Sequence, residues 1–389
     1  MNSTVCNKDE CTGCMACVRA CPKNAIKIED SLASYNALID KNKCIDCNAC
    51  YNVCQQNSFL DLKEPMIWYQ GWAVDENIRL KSASGGFATS IAMNFIKNKG
   101  IVFGCEFVNG EFRFKRMETE SEVKEMGGSK YVKSNPYDVY HLIKEDLSNQ
   151  KEVLFIGLPC QVAGVKKYVG KILWDNLYTA DLICHGTPSP QLLDKFLMQY
   201  GLSLGKLQNI QFREKSIIRT KSGKKYIEQK GIRDKYIIGF LNGLTYTQNC
   251  YDCKYAKKER VSDITLGDSW GTNLDIENQK KGISLALCQT VKGKELIKKA
   301  DVKLFEVDID KAILNNHQLQ NPVTCPNGRM DFFKSLNDEK TFNQEILKFF
   351  PKECLKQKLK KILAYIGLDE RWRKASHLDY GIMYEEEEK

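Results

Sequence analysis

Cys11-Thr12-Gly13-Cys14-Met15-Ala16-Cys17-Val18-Arg19-Ala20-Cys21-Pro22 is answered 33 residues later by Cys44-Ile45-Asp46-Cys47-Asn48-Ala49-Cys50-Tyr51-Asn52-Val53-Cys54-Gln55. All four cysteines recur in register, and duplication is the simplest origin. Three close thiolates wrap one face of a cubane, and in a two-cluster arrangement the distant fourth reaches across to the other cluster. The spacing therefore assigns Cys11, Cys14, Cys17 and Cys54 to one [4Fe-4S] cluster, and Cys44, Cys47, Cys50 and Cys21 to a second. Pro22 follows Cys21 as in bacterial ferredoxins, whereas Gln55 follows Cys54, so the second half departs from the full signature. Zinc usually takes paired C-x-x-C knuckles at longer separations and is the alternative. Cys6 lies outside the pattern and reads as a spare thiol.

Around this repeat the composition is that of a globular chain. The 389 residues are 43% hydrophobic and 28% charged, which excludes wholesale disorder, collagen-like repetition and coiled coil. Length predicts two or three compact units. Apolar runs such as Val153–Leu158 fall far short of the roughly 18 residues a membrane span needs. The first residues lack the basic start and apolar core of a signal peptide, so a cytoplasmic location is expected. Seventeen cysteines, an odd number, argue for metal or redox use rather than a disulfide scaffold. The net charge of +9 comes from scattered Lys and Arg interleaved with Asp and Glu, which argues against a nucleic-acid partner.

The chain divides into a two-cluster segment over residues 1–62, a core read in two parts over 68–150 and 151–345, and a helical appendix with an acidic tail over 346–389. The core alternates strands and helices, giving an α/β (α+β) class: a small ferredoxin-like domain followed by a mixed α/β core. Ile101–Phe107 and Glu111–Arg116 flank Asn109-Gly110, a pair that accepts the positive φ of a two-residue hairpin turn. Thr119 and Glu122 form a capping box. Lys151–Leu158 reads as a buried strand leading to Pro159-Cys160 and a helix that Gly170 stops. Leu177–Ile183 reads as a second strand, running into Cys184-His185-Gly186. Ser189 and Pro190 open a further helix. Cys160 and Cys184 thus follow strand C-termini, where α/β sheets present ligand sites. The acidic end is expected to be a solvated tail.

Cys250-x-x-Cys253 supplies half a ligand set, and Cys160 with Cys184 can supply the other half for a third [4Fe-4S] cluster. Two alternatives are buried small residues and zinc. At Ser84-Gly85-Gly86-Phe87-Ala88-Thr89 a glycine pair precedes a predicted helix over Phe87–Lys97. Free N–H groups there can cradle a phosphate, to which Lys130-Tyr131-Val132-Lys133-Ser134 can add contacts; a plain loop and helix start is the other reading. G-x-G-x-x-G, Walker and H-E-x-x-H motifs do not occur.

Taken together, SGGF at 84–87, SKYVKS at 129–134, GLPCQVAG at 157–164, ICHGTPSP at 183–190, CYDCKYA at 250–256 and SDITLGDSWG at 262–271 carry a resemblance. With the cluster repeat, the chain resembles the beta-subunit family of coenzyme F420 hydrogenase/dehydrogenase, in the form bearing an N-terminal ferredoxin domain, over most of residues 1–330. The resemblance implies an iron–sulfur flavoprotein with bound FAD. It favours the third cluster at Cys160, Cys184, Cys250 and Cys253, and makes Ser84, Gly85, Gly86, Thr89, Lys130, Tyr131 and Ser134 the FAD candidates. The function expected is FAD-dependent oxidoreduction. Ferredoxin or a redox partner subunit would exchange electrons with the clusters, and a small organic acceptor such as coenzyme F420 would exchange hydride with the flavin. A non-catalytic electron-transfer subunit is the alternative. His185 is a candidate proton relay, against the plainer reading of a histidine fixed by a backbone hydrogen bond. Asp268 and Arg260 either position a ligand or form a buried ion pair, and Trp270 is expected to pack.

Overall fold

The structure is a computed structural model that describes residues 4–215, 225–337, 342–366 and 378–386. Near the N-terminus β1 (Ile26–Asp30) and β2 (Tyr35–Ile39) form an antiparallel hairpin beside two short helices, Ala16–Ala20 and Ala49–Val53. The sequence repeat is also a backbone repeat. Gly13 and Asp46 have φ of 67° and 52°, and Met15 and Asn48 have φ of 66° and 57°. Left-handed residues at both places turn the chain so that successive cysteines face one point, and Gly, Asp and Asn tolerate that region best.

The main sheet has eight strands. These are β3 (Ile67–Ala73), β4 (Ile101–Val108), β5 (Glu111–Met117), β6 (Val153–Gly157), β7 (Leu177–Leu182), and, later in the chain, Ile264–Asp268, Ser284–Cys288 and Val302–Phe305. Before those last three come β8 (Leu207–Lys215) and β9 (Lys225–Tyr226), which makes the three β10, β11 and β12. Across the sheet the order is β12-β3-β11-β10-β7-β6-β4-β5. The central neighbours β4, β6, β7 and β10 run parallel, and antiparallel strands close both sides.

Alternation along β6 explains its unbroken apolar run. Val153 and Phe155 enter a core with Tyr140, Val162 and Val165, while Leu154 and Ile156 enter another with Phe87, Ile91 and Leu266. A strand covered on both faces has no polar side to show. The Asn109-Gly110 hairpin, the Thr119 capping box and the Phe87–Lys97 helix form as the sequence predicts, and the helix expected over Gln161–Val169 begins two residues earlier, at Pro159.

Two features depart from expectation. The acidic end folds into β13 (Leu378–Glu386), the middle strand of a three-stranded sheet ordered β8-β13-β9, instead of forming a solvated tail; residues 387–389 lie outside the described residues. Leu378, Ile382 and Met383 are buried, and that apolar anchorage outweighs the charge at Glu385 and Glu386. The helices Phe342–Phe349 and Pro351–Tyr365, split at Pro351 as expected, place Phe342, Ile346 and Cys354 in a core with Phe196, Phe212, Tyr236 and Phe332. Among the described residues no helix is long and apolar enough to cross a membrane.

Candidate iron–sulfur and flavin site

The repeat brings Cys11, Cys14, Cys17 and Cys54 around one buried void. Cys50 has Cys21 and Cys44 as electrostatic neighbours, and burial followed by the charge of Cys21 raises its pKa. Cys47 is exposed and Cys21, Cys44 and Cys50 are half-buried, so this second set lies at the surface. Cys17 is pushed well up, first by burial, then by Cys14, Cys11, Cys54 and Cys50, which places the two sets side by side. Cys6, read from sequence as a spare thiol, is buried at the same void. Its thiol bonds Cys11 and Cys54, and this lowers Cys54 to about 6. Only position 54 closing over residue 6 produces that contact, and no spacing announces it.

Gln55, the departure from the ferredoxin signature, joins this segment to the core. It is 1% exposed. Its Nε2 donates to Thr12 Oγ1 at 3.1 Å and to the Cys160 carbonyl at 2.5 Å, and its Oε1 accepts from the Tyr255 hydroxyl. Tyr140 Oη donates to the Cys14 carbonyl at 2.5 Å. Gly164 allows the approach, since a Cβ there would stand 2.6 Å from Tyr140 Oη and 3.2 Å from Cys14 Sγ.

Cys160, Cys184, Cys250 and Cys253, far apart in the chain, line a single void together with Lys133 and Arg260. The parallel strands explain two of them: Cys160 follows β6 by way of Leu158-Pro159, and Cys184 follows β7 by way of Ile183. The Gln248–Cys250 turn then delivers the C-x-x-C pair, with Thr247 Oγ1 and Asn249 Nδ2 at 3.6 and 3.7 Å from Cys250 Sγ. Burial pushes the Cys160 thiol far up and Cys184 to about 12, and in both the charges of the neighbouring cysteines add to the rise. Desolvation also raises Cys253, so these three crowded thiols resist ionisation until a cation joins them. Among the described residues no three His, Cys, Asp or Glu side chains converge on one metal-ion position. A cubane offers each of four thiolates its own iron. The donor set fits the cluster.

Beyond Cys184 opens a cavity of about 310 Å³, within the range of small-molecule sites, roughly 300–1,000 Å³. Leu158, Cys184, His185, Gly186 and Thr187 line both this cavity and the cysteine void. Ser84, Gly86, Thr89, Lys130, Tyr131 and Ser134 all line it; Gly85 sits just behind, its Cα packed so closely that a Cβ would lie 2.4 Å from the Gly71 carbonyl. The Phe87–Lys97 helix starts at the wall from left-handed Gly86, with no side-chain cap, leaving its first N–H groups for an anion. Lys215 Nζ braces this loop from behind by donating to the Ser84 carbonyl at 2.7 Å. Lys130 Nζ is spent on the carbonyls of Met126 and Gly127, so it shapes the wall. Tyr131 stacks on Phe240 with ring centres 4.4 Å apart, giving a flat aromatic surface. Ser134 Oγ accepts from Gln161 Nε2 at 3.0 Å. These features fit a flavin: an apolar slot with one electropositive end.

Asp268 pairs with Arg213 at 2.8 and 3.0 Å, correcting the expected partnership with Arg260. Burial raises the Asp268 pKa, and Arg213 outweighs it to hold the carboxyl below its usual value. Arg260 instead lies at the cysteine void, with Nε and Nη2 unbonded. Trp270, read as packing, lines the large cavity. His185 stands in the shared wall, and desolvation pushes its pKa below the ordinary imidazole value against the pull of Asp268. Sequence reading missed Arg213, Phe240 and Tyr380, which reach the cavity from β8, a helix and β13. β13 sets Tyr380 opposite Arg213.

A two-cluster cysteine fold docked on a mixed α/β core defines an iron–sulfur electron-transfer protein. Residues 10–59 match the 4Fe-4S dicluster domain, and residues 150–310 match the family described as the C terminus of the coenzyme F420 hydrogenase/dehydrogenase beta subunit. The chain is therefore an iron–sulfur protein related to those beta subunits, as its motifs suggest. The SGGF and SKYVKS segments lie between the two matched spans. Among solved structures, a chain of the xenon-derivatised F420-reducing [NiFe] hydrogenase complex from Methanosarcina barkeri is similar at 16% identity and a TM-score of 0.44, covering 68% of this chain and 97% of its own. No curated protein matches the chain.

Proposed function

We propose that this chain is an FAD-dependent, ferredoxin-linked oxidoreductase. In this reading the eight N-terminal cysteines hold two [4Fe-4S] clusters, Cys160, Cys184, Cys250 and Cys253 hold a third, and the large cavity holds FAD. When bound, iron–sulfur clusters exchange single electrons and a flavin exchanges one or two, which links one-electron to two-electron chemistry. The observation that carries the reading is the shared wall: Leu158 and Cys184–Thr187 separate the four-cysteine void from the cavity by one layer of residues.

The chain's own groups form a graded path. The set with exposed Cys47 faces the solvent, open to the approach of ferredoxin or of a redox partner. The buried set at Cys11, Cys14, Cys17 and Cys54 comes next, and Gln55 ties its loop to Cys160. In the cavity, the open N-terminus of the Phe87–Lys97 helix takes the diphosphate, with Lys215 bracing the Ser84 carbonyl behind it. Tyr131 and Phe240 supply a flat apolar face, and the Arg213–Asp268 pair gives polar definition at that end. His185 is placed to hold or pass a proton at the wall. The acceptor is a small organic molecule, with coenzyme F420 as the first candidate.

Anaerobic purification with iron, sulfide and flavin quantitation tests this. About twelve irons and one FAD per chain are expected, at four irons per cubane. About eight irons would remove the third cluster. Twelve irons without flavin would leave an electron carrier in place of an enzyme. Reoxidation of the reduced protein by coenzyme F420, against a panel of other acceptors, identifies the substrate.

A further inference from the structure

We propose that Lys133 is a positioning residue whose ammonium is the shared counter-ion of two clusters, the one at Cys11/Cys14/Cys17/Cys54 and the one at Cys160/Cys184/Cys250/Cys253. The inference rests on the reading above that both sets hold clusters. It begins with a local reversal. In the Lys130–Ser134 segment, Lys130, Tyr131, Val132 and Ser134 line the large cavity, but Lys133 lines the four-cysteine void on the other side. Its backbone N–H is pinned to the Pro188 carbonyl at 2.9 Å, within the loop that carries Cys184. Its Nζ crosses to the N-terminal segment, donates to the Thr12 carbonyl at 3.0 Å, one residue from Cys11, and lies 5.2 Å from the centre of the Tyr35 ring.

Lys133 is 5% exposed, and among the described residues no carboxylate lies within ion-pair distance of it. A carbonyl and a ring do not neutralise an ammonium, and a buried charge without a counter-charge is expensive. Thiolates lie on both sides. The Thr12 carbonyl that accepts from Lys133 Nζ adjoins Cys11 of one set, and the lysine side chain lines the void of Cys160, Cys184, Cys250 and Cys253. Anionic clusters in both sets supply the missing negative charge, and the lysine stabilises each most when it carries the extra electron. Lys133 thus raises the reduction potential of both clusters relative to the surface cluster at Cys21, Cys44, Cys47 and Cys50, and biases electrons inward.

The test is a redox titration of the anaerobic holoprotein followed by electron paramagnetic resonance, for wild type, Lys133→Gln and Lys133→Arg. In Lys133→Gln, two couples are expected to move to more negative potential by about tenfold in the reduction equilibrium, about 59 mV for one electron. The surface couple should stay put, and Lys133→Arg should leave all three near wild type. Unmoved couples in Lys133→Gln, or equal movement of all three, overturn the proposal. If the Gln variant loses iron, Lys133→Met and Lys133→Arg decide by iron content. Assembly in Arg with loss in Met supports a charge requirement, and any other pattern marks a role of shape and overturns it. A wild-type content of about eight irons would remove the underlying reading itself. Twelve irons with unmoved potentials would remove only the role of Lys133.

Discussion

At the scale of single residues, the junction between the cluster segment and the core rests on Gln55 and Gly164. Replacing Gln55 by Leu leaves the Tyr255 hydroxyl buried without its partner and removes the tie to the Cys160 carbonyl. A loss of about 1–3 kcal/mol for the orphaned hydroxyl is expected, seen as a lower denaturant midpoint of the anaerobic holoprotein. Gly164→Ala would set a methyl group 2.6 Å from Tyr140 Oη and 3.2 Å from Cys14 Sγ. One of the two must retreat. The expected result is a changed resonance spectrum for a single cluster with the other signals intact; a spectrum identical to wild type would show that Cys14 does not need the space. The ligand pattern at this scale was open in the sequence, because the short cysteine intervals repeat in register. The partner of Asp268 was not, since Arg213 lies 55 positions away in a separate sheet and only tertiary packing brings it near.

At the scale of elements, β13 is the strand most worth disturbing. Asp234 caps the Lys235–Leu241 helix by accepting from Ile237 N at 2.9 Å, and its other oxygen accepts from Ile382 N in β13 at 2.7 Å. Asp234→Ala removes a cap and an inter-element tie together. A destabilisation of about 1–3 kcal/mol is expected, with faster amide exchange concentrated in β13. A chain ending before Leu378 loses Tyr380 from the cavity wall, and added FAD is expected to bind it less tightly than the full chain by ultrafiltration and absorbance. Hairpin, capping box and strand–helix alternation were legible because each is signalled within a dozen residues. β13 was not. Its acidic composition reads as solvent-facing, and only burial of Leu378, Ile382 and Met383 against β8 and its neighbours decides otherwise.

At the scale of the whole molecule, buried positive charge sets a pH dependence. Burial, then the charges of Arg213 and Arg79, lowers Lys215 from its ordinary 10.5 to about 7. Between those values the unfolded chain keeps a proton that the folded chain has released. Stability from this group therefore increases as pH rises from about 7 to about 10.5. Lys215→Met should flatten that rise, as read by thermal unfolding of the flavin-free protein across the window. An unchanged slope would place the titration elsewhere.

The sequence by itself determined the chemistry of the N-terminal segment and the α/β grammar of the core. Ligand spacing, turn residues and two-residue alternation are local, and local geometry is written in neighbouring positions. Tertiary structure alone decided that Cys160, Cys184, Cys250 and Cys253 meet, that Gln55 joins the cysteine repeat to Cys160, and that Lys133 lies between the two cysteine sets while its neighbours face a different cavity. These depend on which strand ends the sheet order brings together and on which side of a short segment each side chain falls. Chain closure over hundreds of residues fixes both, and no interval within the chain encodes them.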